Sequence, residues 1–159
     1  MEKPSVIHSS FTLERTFGCA PAKVFAALAE PEKKRRWFSD SPNHEVVEFV
    51  MDFREGGTEK MKYRFNKGTR FPGVILVNAG RYEDIVDGLR VVHSSTMTIA
   101  GRKISVSLVT YDLLPEGEGT VLRLTFQGAF FEGADGPEIR KEGWEFLMER
   151  LGEEVAREG

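Results

Sequence analysis

Hydrophobic and polar residues alternate along residues 8–17, the first patterned segment of the chain. Aromatic and aliphatic side chains at alternate positions predict a β-strand. The period then lengthens: Pro21 suits the first position of a helix, and apolar residues recur behind it at helical spacing. Pro31 ends that helix and opens another, which ends near Trp37 and Phe38. Two short helices are therefore predicted after the first strand.

Alternation returns after these helices and continues, broken by turns, through the middle of the chain. The strand segments that it predicts are residues 47–53, 61–65, 71–77, 80–86, 89–97, 104–113 and 122–126. The third and fourth of these segments can also form one bent strand. Asp87-Gly88 is a hairpin signal, and the alternation shifts after Leu108 as it does at a β-bulge. The short connections predict an antiparallel sheet.

The last segment has a helical pattern. Apolar residues recur at spacings of three to five between Pro137 and Val155, which predicts one amphipathic helix of about 20 residues. It is the only predicted element long enough to cover one face of the sheet. The predicted fold class is therefore α+β: a curved antiparallel sheet of about six to seven strands around a long C-terminal helix, with two short helices after the first strand.

Length and composition limit the possible classes of protein. The 159 residues correspond to a single domain, residues 1–159, with its core over about 8–157. Cys19 is the single cysteine, which excludes an internal disulfide. No apolar run approaches the roughly 20 residues of a membrane span. The N-terminal segment lacks the apolar stretch of a signal peptide, so a cytoplasmic protein is expected.

Charge is distributed unevenly along the chain. The net charge is −3, which offers no general attraction to nucleic acid, and residues 132–158 contain nine acidic and four basic side chains. The opposite extreme is the basic run, residues 33–36, which we interpret as the solvated face of a short helix. An acidic helix and a basic run can also form opposite ends of a docking surface for a protein.

Several short motifs, in order along the chain, match the pattern of one known family. They are Arg15, Ala20-Pro21, Val24-Phe25-Ala26-Ala27-Leu28, Pro31, Trp37-Phe38, Phe53-Arg54-Glu55-Gly56-Gly57, Gly80, Thr120-Val121-Leu122-Arg123-Leu124, Gly143-Trp144 and Leu151. As a set they resemble the START-like (SRPBCC, helix-grip) superfamily. The closer resemblance is to the branch named for the C-terminal domain of the activator of the ninety-kilodalton heat-shock protein's ATPase. It covers about residues 11–155 and implies a cavity between the sheet and the C-terminal helix, where many members hold apolar molecules.

Inward-facing side chains would line the cavity that the resemblance implies. The candidates for ligand binding are Trp37, Phe49, Met51, Phe53, Tyr63, Phe65, Tyr82, His93, Phe126, Trp144 and Met148. For any single apolar residue among them, packing in the core is the alternative. As a group they could line a pocket of roughly 300–1,000 Å³.

Polar residues on the predicted inward faces each have two interpretations. His93 is either a hydrogen-bonded core histidine or a group that orients or protonates a ligand. Arg15 is either half of a buried ion pair or an anchor for an anionic ligand. Tyr63 and Tyr82 each carry a hydroxyl that can mark one end of a pocket. The histidines lie far apart and the cysteine is alone, so no metal or other cofactor is predicted, and no residue is assigned to catalysis.

The leading hypothesis is a domain that binds a small hydrophobic or amphipathic molecule. One alternative, suggested by the branch name, is a module that stimulates a chaperone ATPase. The other is a polyketide cyclase-like or other small-molecule enzyme, which requires at least two of His93, Tyr63, Tyr82 and Arg15 to converge on one reacting atom. The expected partners are a small apolar molecule and, in the first alternative, a chaperone, with no nucleic acid and no membrane span. We expect a monomer or a homodimer.

Overall fold

The computed structural model of the chain describes residues 3–157 and contains seven strands and three α-helices over that range. In chain order they are β1 (Val6–Phe17), α1 (Pro21–Ala29), α2 (Pro31–Lys34), β2 (His44–Met51), β3 (Thr58–Phe65), β4 (Ile75–Val86), β5 (Arg90–Ile99), β6 (Arg102–Glu116), β7 (Gly119–Phe131) and α3 (Pro137–Ala156). Helix α2 continues into a π-helical turn, Arg35–Ser39. The predicted α+β class, the antiparallel sheet and the long C-terminal helix are confirmed.

Each of the three helices begins at a proline: Pro21, Pro31 and Pro137. A proline at the first helical position costs the helix no hydrogen bond, since the amide hydrogen that it lacks would have no partner within the helix. Its fixed φ also matches the helical value. This local chemistry explains why the sequence pattern located the start of all three helices correctly.

The seven strands form one antiparallel sheet in the order β1-β7-β6-β5-β4-β3-β2. Five of the neighbouring pairs are consecutive in the chain, as hairpin connections require. The exception is β1, which pairs with β7. Helices α1 and α2 carry the chain from β1 across the concave face to the opposite edge of the sheet, where β2 lies.

Two expectations for the strands are settled by the pairing register. The third and fourth predicted segments are one strand, β4, and Phe71 lies in the loop before it. The bulge in β6 falls at Ile104 and not after Leu108, because Met97 pairs with Ser105 while Thr98 pairs with Lys103. The prediction was wrong because it assumed that the apolar residues of β6 face inward. Near the bulge, Ser105 and Ser107 are buried on the inner face, whereas Val106 is exposed on the outer face.

The core lies between the sheet and the buried stripe of α3. This stripe consists of Trp144, Met148, Leu151 and Val155, each at most 8% exposed. Besides β1, helix α3 packs against α1 and the π-helical turn. The predicted amphipathic helix of about 20 residues is thus the element that the sheet encloses.

The close approach of two strands leads to a prediction at Gly80. A Cβ atom at this position would lie 1.8 Å from the Ser94 carbonyl oxygen, and both groups belong to paired strands. We therefore expect Gly80→Ala to lower the free energy of unfolding by at least about 2 kcal/mol, since the backbone must shift. Urea denaturation followed by tryptophan fluorescence measures this change.

The matched control is Gly18→Ala. A Cβ atom at Gly18 would meet no atom within 4 Å. This variant should stay within about 0.5 kcal/mol of the wild type, as surface substitutions usually do. Equal stability of the two variants would contradict the strand geometry described here.

Candidate functional site

A cavity of about 340 Å³ lies between the concave face of the sheet and the N-terminal part of α3. Its walls come from β3 to β7, the π-helical turn and the start of β2 that follows it, and α3 with the loop before it. The lining residues are Phe38, Ser41, His44, Met61, Tyr63, Leu76, Asn78, Ser95, Met97, Ile99, Ile104, Ser107, Phe126, Asp135, Ile139, Arg140, Gly143, Trp144, Phe146, Leu147 and Arg150. Ile139 and Phe146 are 57% and 61% exposed. The cavity therefore opens to solvent beside these two residues of α3.

The cavity exists because a row of small residues crosses the sheet under it. Gly80 pairs with Ser95, Ser95 with Ser107, and Ser107 with Gly128, so the four lie side by side on four strands. Their short side chains leave space between the sheet and α3. At the β7 end that space is filled, because the Phe126 ring lies over Gly128. The open volume therefore lies over β3, β4, β5 and β6.

One wall of the cavity carries an ion pair between Arg140 of α3 and Asp135 in the loop before this helix. The Arg140 guanidinium donates from Nε and Nη2 to the two oxygens of Asp135, at 2.8 Å each. Its Nη2 also donates to Ser105 Oγ at 3.0 Å, and its charge lies 5.0 Å from the centre of the Phe130 ring. The Arg140 side chain is only 8% exposed. Two parallel hydrogen bonds of this kind fix the guanidinium plane and neutralise its charge.

The opposite wall carries polar groups of β3 and β4. Asn78 and Tyr63 line the cavity, and the buried Oδ1 of Asn78 has no hydrogen-bond partner among residues 3–157. Burial raises the pKa of Tyr63 to about 12, so its hydroxyl keeps its proton at neutral pH. His44 stacks on the Tyr63 ring with the ring centres 3.7 Å apart, and its Nε2 lies 2.5 Å from the Ser39 carbonyl oxygen. Burial lowers the pKa of His44, so this imidazole is neutral and donates from Nε2.

A second polar cluster lies deeper in the core, outside the lining of the cavity. Lys34 Nζ lies 3.3 Å from Glu59 Oε1, and both side chains are at most 4% exposed. The Tyr82 hydroxyl donates to Glu59 Oε2 at 2.5 Å, and His93 Nε2 lies 3.5 Å from the same oxygen. The Lys34 ammonium also lies 4.6 Å from the centre of the Phe38 ring and 5.7 Å from that of Tyr111.

The charges in this cluster determine its protonation states. Burial by itself would raise the pKa of Glu59, but the Lys34 ammonium and the Tyr82 hydrogen bond outweigh it and the pKa is lowered. Glu59 and Lys34 are therefore an ion pair. Burial lowers the pKa of His93 to about 4, so this imidazole is neutral at pH 7. The cluster joins α2, through Lys34, to β3, β4 and β5.

The basic run, residues 33–36, is only partly the solvated face that the sequence suggested, because Arg35 is exposed and Lys34 is not. Lys34 is buried with Glu59. Arg36 donates from Nε and Nη2 to Glu154 of α3 at 2.9 and 2.7 Å, and Lys33 and Arg35 pair with Glu30 and Asp40. The acidic partners of these four side chains lie on β3 and α3, or directly before α2 and after the π-helical turn. The local periodicity of residues 33–36 does not reveal them.

The structure separates the eleven predicted ligand-binding residues into two groups. Tyr63, Phe126 and Trp144 lie on the cavity wall. The other eight do not line it. Trp37, Tyr82 and Met148 are buried in the core, and His93 lies beside Glu59. Phe53 packs against Phe25 and Tyr82, Phe65 packs against Tyr63 and Phe71, and Phe49 and Met51 lie on β2. Arg15 is half-buried and donates to the Glu14 carbonyl oxygen.

Most of the cavity's polar groups are not among the predicted ligand-binding residues. Ser95 and Met97 share the alternation of His93, so the period of β5 already placed them on the inner face. Asn78 fell at the assumed break between two strands. Arg140 lies on the C-terminal helix, and a buried arginine cannot be distinguished from a solvated one by spacing alone.

Neither a membrane-spanning helix nor a metal cluster is found within residues 3–157. None of the helices in this range is both long and apolar enough to span a bilayer. No cluster of three or more histidine, cysteine, aspartate or glutamate side chains in this range is placed to hold a metal ion.

The family of the chain follows from a match to a family model. The model described as Activator of Hsp90 ATPase homolog 1-like protein matches residues 19–156. The chain belongs to this family. The resemblance inferred from the ordered motifs is thereby confirmed, and the helix-grip fold observed here is the fold that this resemblance implies.

Solved structures of similar proteins agree with the family and the fold. The Mll3558 protein from Rhizobium loti is 41% identical, with a TM-score of 0.85 over 94% of this chain and 99% of that chain. A putative uncharacterized protein from Rhizobium leguminosarum is 29% identical, with a TM-score of 0.90 over 99% and 100%. An AHSA1-like protein from Aeromonas hydrophila, 16% identical, has the same fold at a TM-score of 0.62 over 91% and 92%. No curated protein matches the chain.

The buried histidine gives this member of the family a pH-dependent stability. The folded state lowers the pKa of His93 from 6.5 to about 4, so only the unfolded chain binds a proton there between these values. Stability is therefore full above pH 6.5 and falls as the pH drops toward 4, by about 3 kcal/mol from this group. His93→Gln should flatten the dependence of the unfolding free energy on pH over this window.

The slope will be reduced and not abolished, because burial also lowers the pKa of His44. Urea denaturation at pH values from 7.5 to 4.5 provides the measurement. The exposed residue His8 supplies the control, since His8→Gln should keep the wild-type slope. A His93→Gln variant with the wild-type slope would show that His93 is not buried as a neutral group.

Proposed function

We propose that this protein binds a small hydrophobic or amphipathic molecule in the cavity between the sheet and α3. The observation that carries the proposal is a cavity of about 340 Å³ with largely apolar walls and a few convergent polar groups. Its size is at the lower end of the range for small-molecule sites, which is roughly 300–1,000 Å³. Phe38, Phe126 and Trp144 supply flat apolar surfaces for the body of the ligand.

Binding without catalysis is the function that the polar groups support best. The enzyme hypothesis needs two of its four candidate groups on one reacting atom. Tyr82 and His93 do converge, but on the Glu59 carboxylate, which Lys34 neutralises beneath the lining of the cavity. Tyr63 lines the cavity, but the other three candidates, His93, Tyr82 and Arg15, do not.

The charge distribution gives less support to a chaperone-binding surface. The basic run, residues 33–36, would be the positive end of that surface, yet each of its four side chains forms an ion pair within the chain. A partner would have to compete with those pairs. The name of the family describes an activator of a chaperone ATPase, but the geometry of this chain favours a small ligand.

A pair of variants on neighbouring residues tests the proposal. Ser95→Leu places a larger side chain in the cavity, whereas Ser94→Leu places the same side chain on the outer face of β5, where Ser94 lines a surface groove. The probe is N-phenyl-1-naphthylamine, an uncharged aromatic amine whose fluorescence increases in apolar surroundings. We expect saturable binding to the wild type and to Ser94→Leu, and at least tenfold weaker binding to Ser95→Leu, because the volume is filled.

Folding of both variants is checked by circular dichroism and thermal unfolding. Equal binding by the two variants would place the probe outside the cavity. If neither this probe nor a panel of lipids and aromatic compounds binds the wild type or raises its Tm, the proposed function is wrong.

A further inference from the structure

We infer that the ligand of this cavity is an uncharged amphiphile, with an apolar body and a neutral hydroxyl or amide head that is bound between Tyr63 and Asn78. This inference rests on the proposed function and specifies the chemical class of the ligand. It follows from which polar groups of the cavity already have partners and which do not.

The charged groups of the cavity are already satisfied. Arg140 is held by both oxygens of Asp135 and by Ser105, so its positive charge is neutralised where it lies. Arg150 donates to the main-chain carbonyl oxygens of Arg36, at 2.6 Å, and of Asp40. At Arg140, a carboxylate ligand would have to displace Asp135 or lie beside it, and two like charges in a buried site repel strongly. Arg150 keeps its positive charge, but its side chain is half-buried and the carbonyl oxygens of Arg36 and Asp40 already accept its hydrogen bonds.

The opposite wall presents an unsatisfied neutral acceptor, Asn78, and a neutral donor, Tyr63. Asn78 Oδ1 is buried and has no hydrogen-bond partner in the part of the chain that the structure describes. A buried acceptor without a partner is costly, so a ligand that donates to Asn78 Oδ1 recovers that cost. The Tyr63 hydroxyl lines the same wall and remains protonated, since burial raises its pKa to about 12, so it can donate to the ligand.

The pairing register brings these two groups together. Tyr63 lies opposite Leu76 and Met61 lies opposite Asn78, so Tyr63 and Asn78 are diagonal neighbours on one face of the β3–β4 pair. Such neighbours lie about 7 Å apart at the backbone, within reach of one small group between their side chains. A hydroxyl or amide can both donate and accept, as an amide and a phenol together require.

Apolar surface surrounds this neutral pair. Met61, Leu76 and Met97 lie beside it on β3, β4 and β5, and Trp144 and Leu147 of α3 also line the cavity. Methionine side chains adapt to flat or irregular ligands because they are unbranched and flexible. The site therefore fits a compact apolar body with its polar group at one end.

Three probes with one ring system separate the possible head groups: naphthalene, 2-naphthol and 2-naphthoate, titrated at pH 7 by isothermal calorimetry. We expect 2-naphthol to bind about tenfold more tightly than naphthalene, because it adds two hydrogen bonds. We expect 2-naphthoate to bind more weakly than 2-naphthol. The double variant Tyr63→Phe, Asn78→Leu should bind 2-naphthol no better than naphthalene while its affinity for naphthalene stays within about threefold.

A second variant reverses the expected preference. Asp135→Asn removes the charge that neutralises Arg140, so the freed guanidinium should increase the affinity for 2-naphthoate at least tenfold and leave that for naphthalene unchanged. If wild-type protein binds 2-naphthoate most tightly, or binds 2-naphthol no better than naphthalene, the inference about the head group is wrong while the proposed function stands. If none of the three probes binds and N-phenyl-1-naphthylamine also fails, the proposed function itself is wrong.

Discussion

The structure depends on one geometrical constraint: a single helix of 20 residues has to cover the concave face of a seven-stranded sheet. Seven strands spaced about 4.8 Å apart are roughly 30 Å wide, whereas a helix with its side chains is only about 10–12 Å across. The helix α3 therefore packs closely against one part of the sheet, where Leu151 and Val155 are buried. The remaining area has to be covered by other elements or left open, and the cavity is the part that is left open.

Helices α1 and α2 and the π-helical turn cover much of that remaining area, and buried charges hold them there. Lys34 reaches from α2 to Glu59 on β3, while Arg36 and Arg150 tie the π-helical turn to α3. The buried Lys34–Glu59 pair adds little net stability, but removing one partner of such a pair typically costs about 3–5 kcal/mol, since a charge is left without its counterion. The pairs thus fix the position of Phe38 on the cavity wall, and they link the ligand site to the packing of the helices.

The local pattern predicted the elements well and the site only in part. Prolines at 21, 31 and 137 and the alternation of β1 and β5 are local signals, and the structure follows them. The bulge at Ile104 was misplaced, because its position depends on how β6 pairs with β5 and not on β6 alone. Tyr63, Phe126 and Trp144 were recognised as candidates because the pattern placed them on inward faces. Asn78 and Arg140 were not, because Asn78 is distinguished by a missing hydrogen-bond partner and Arg140 by its burial against Asp135.

The sequence by itself determined the α+β class, the enclosed C-terminal helix and the family, because periodicity and ordered motifs are written along the chain. Tertiary structure alone decided where the cavity lies and what it offers a ligand. Gly80, Ser95, Ser107 and Gly128 come from four strands, and only their register makes them one row. Likewise, Asp135 neutralises Arg140 while Asn78 Oδ1 stays unpaired within residues 3–157, because a hydrogen bond depends on distance in space and not on separation along the chain.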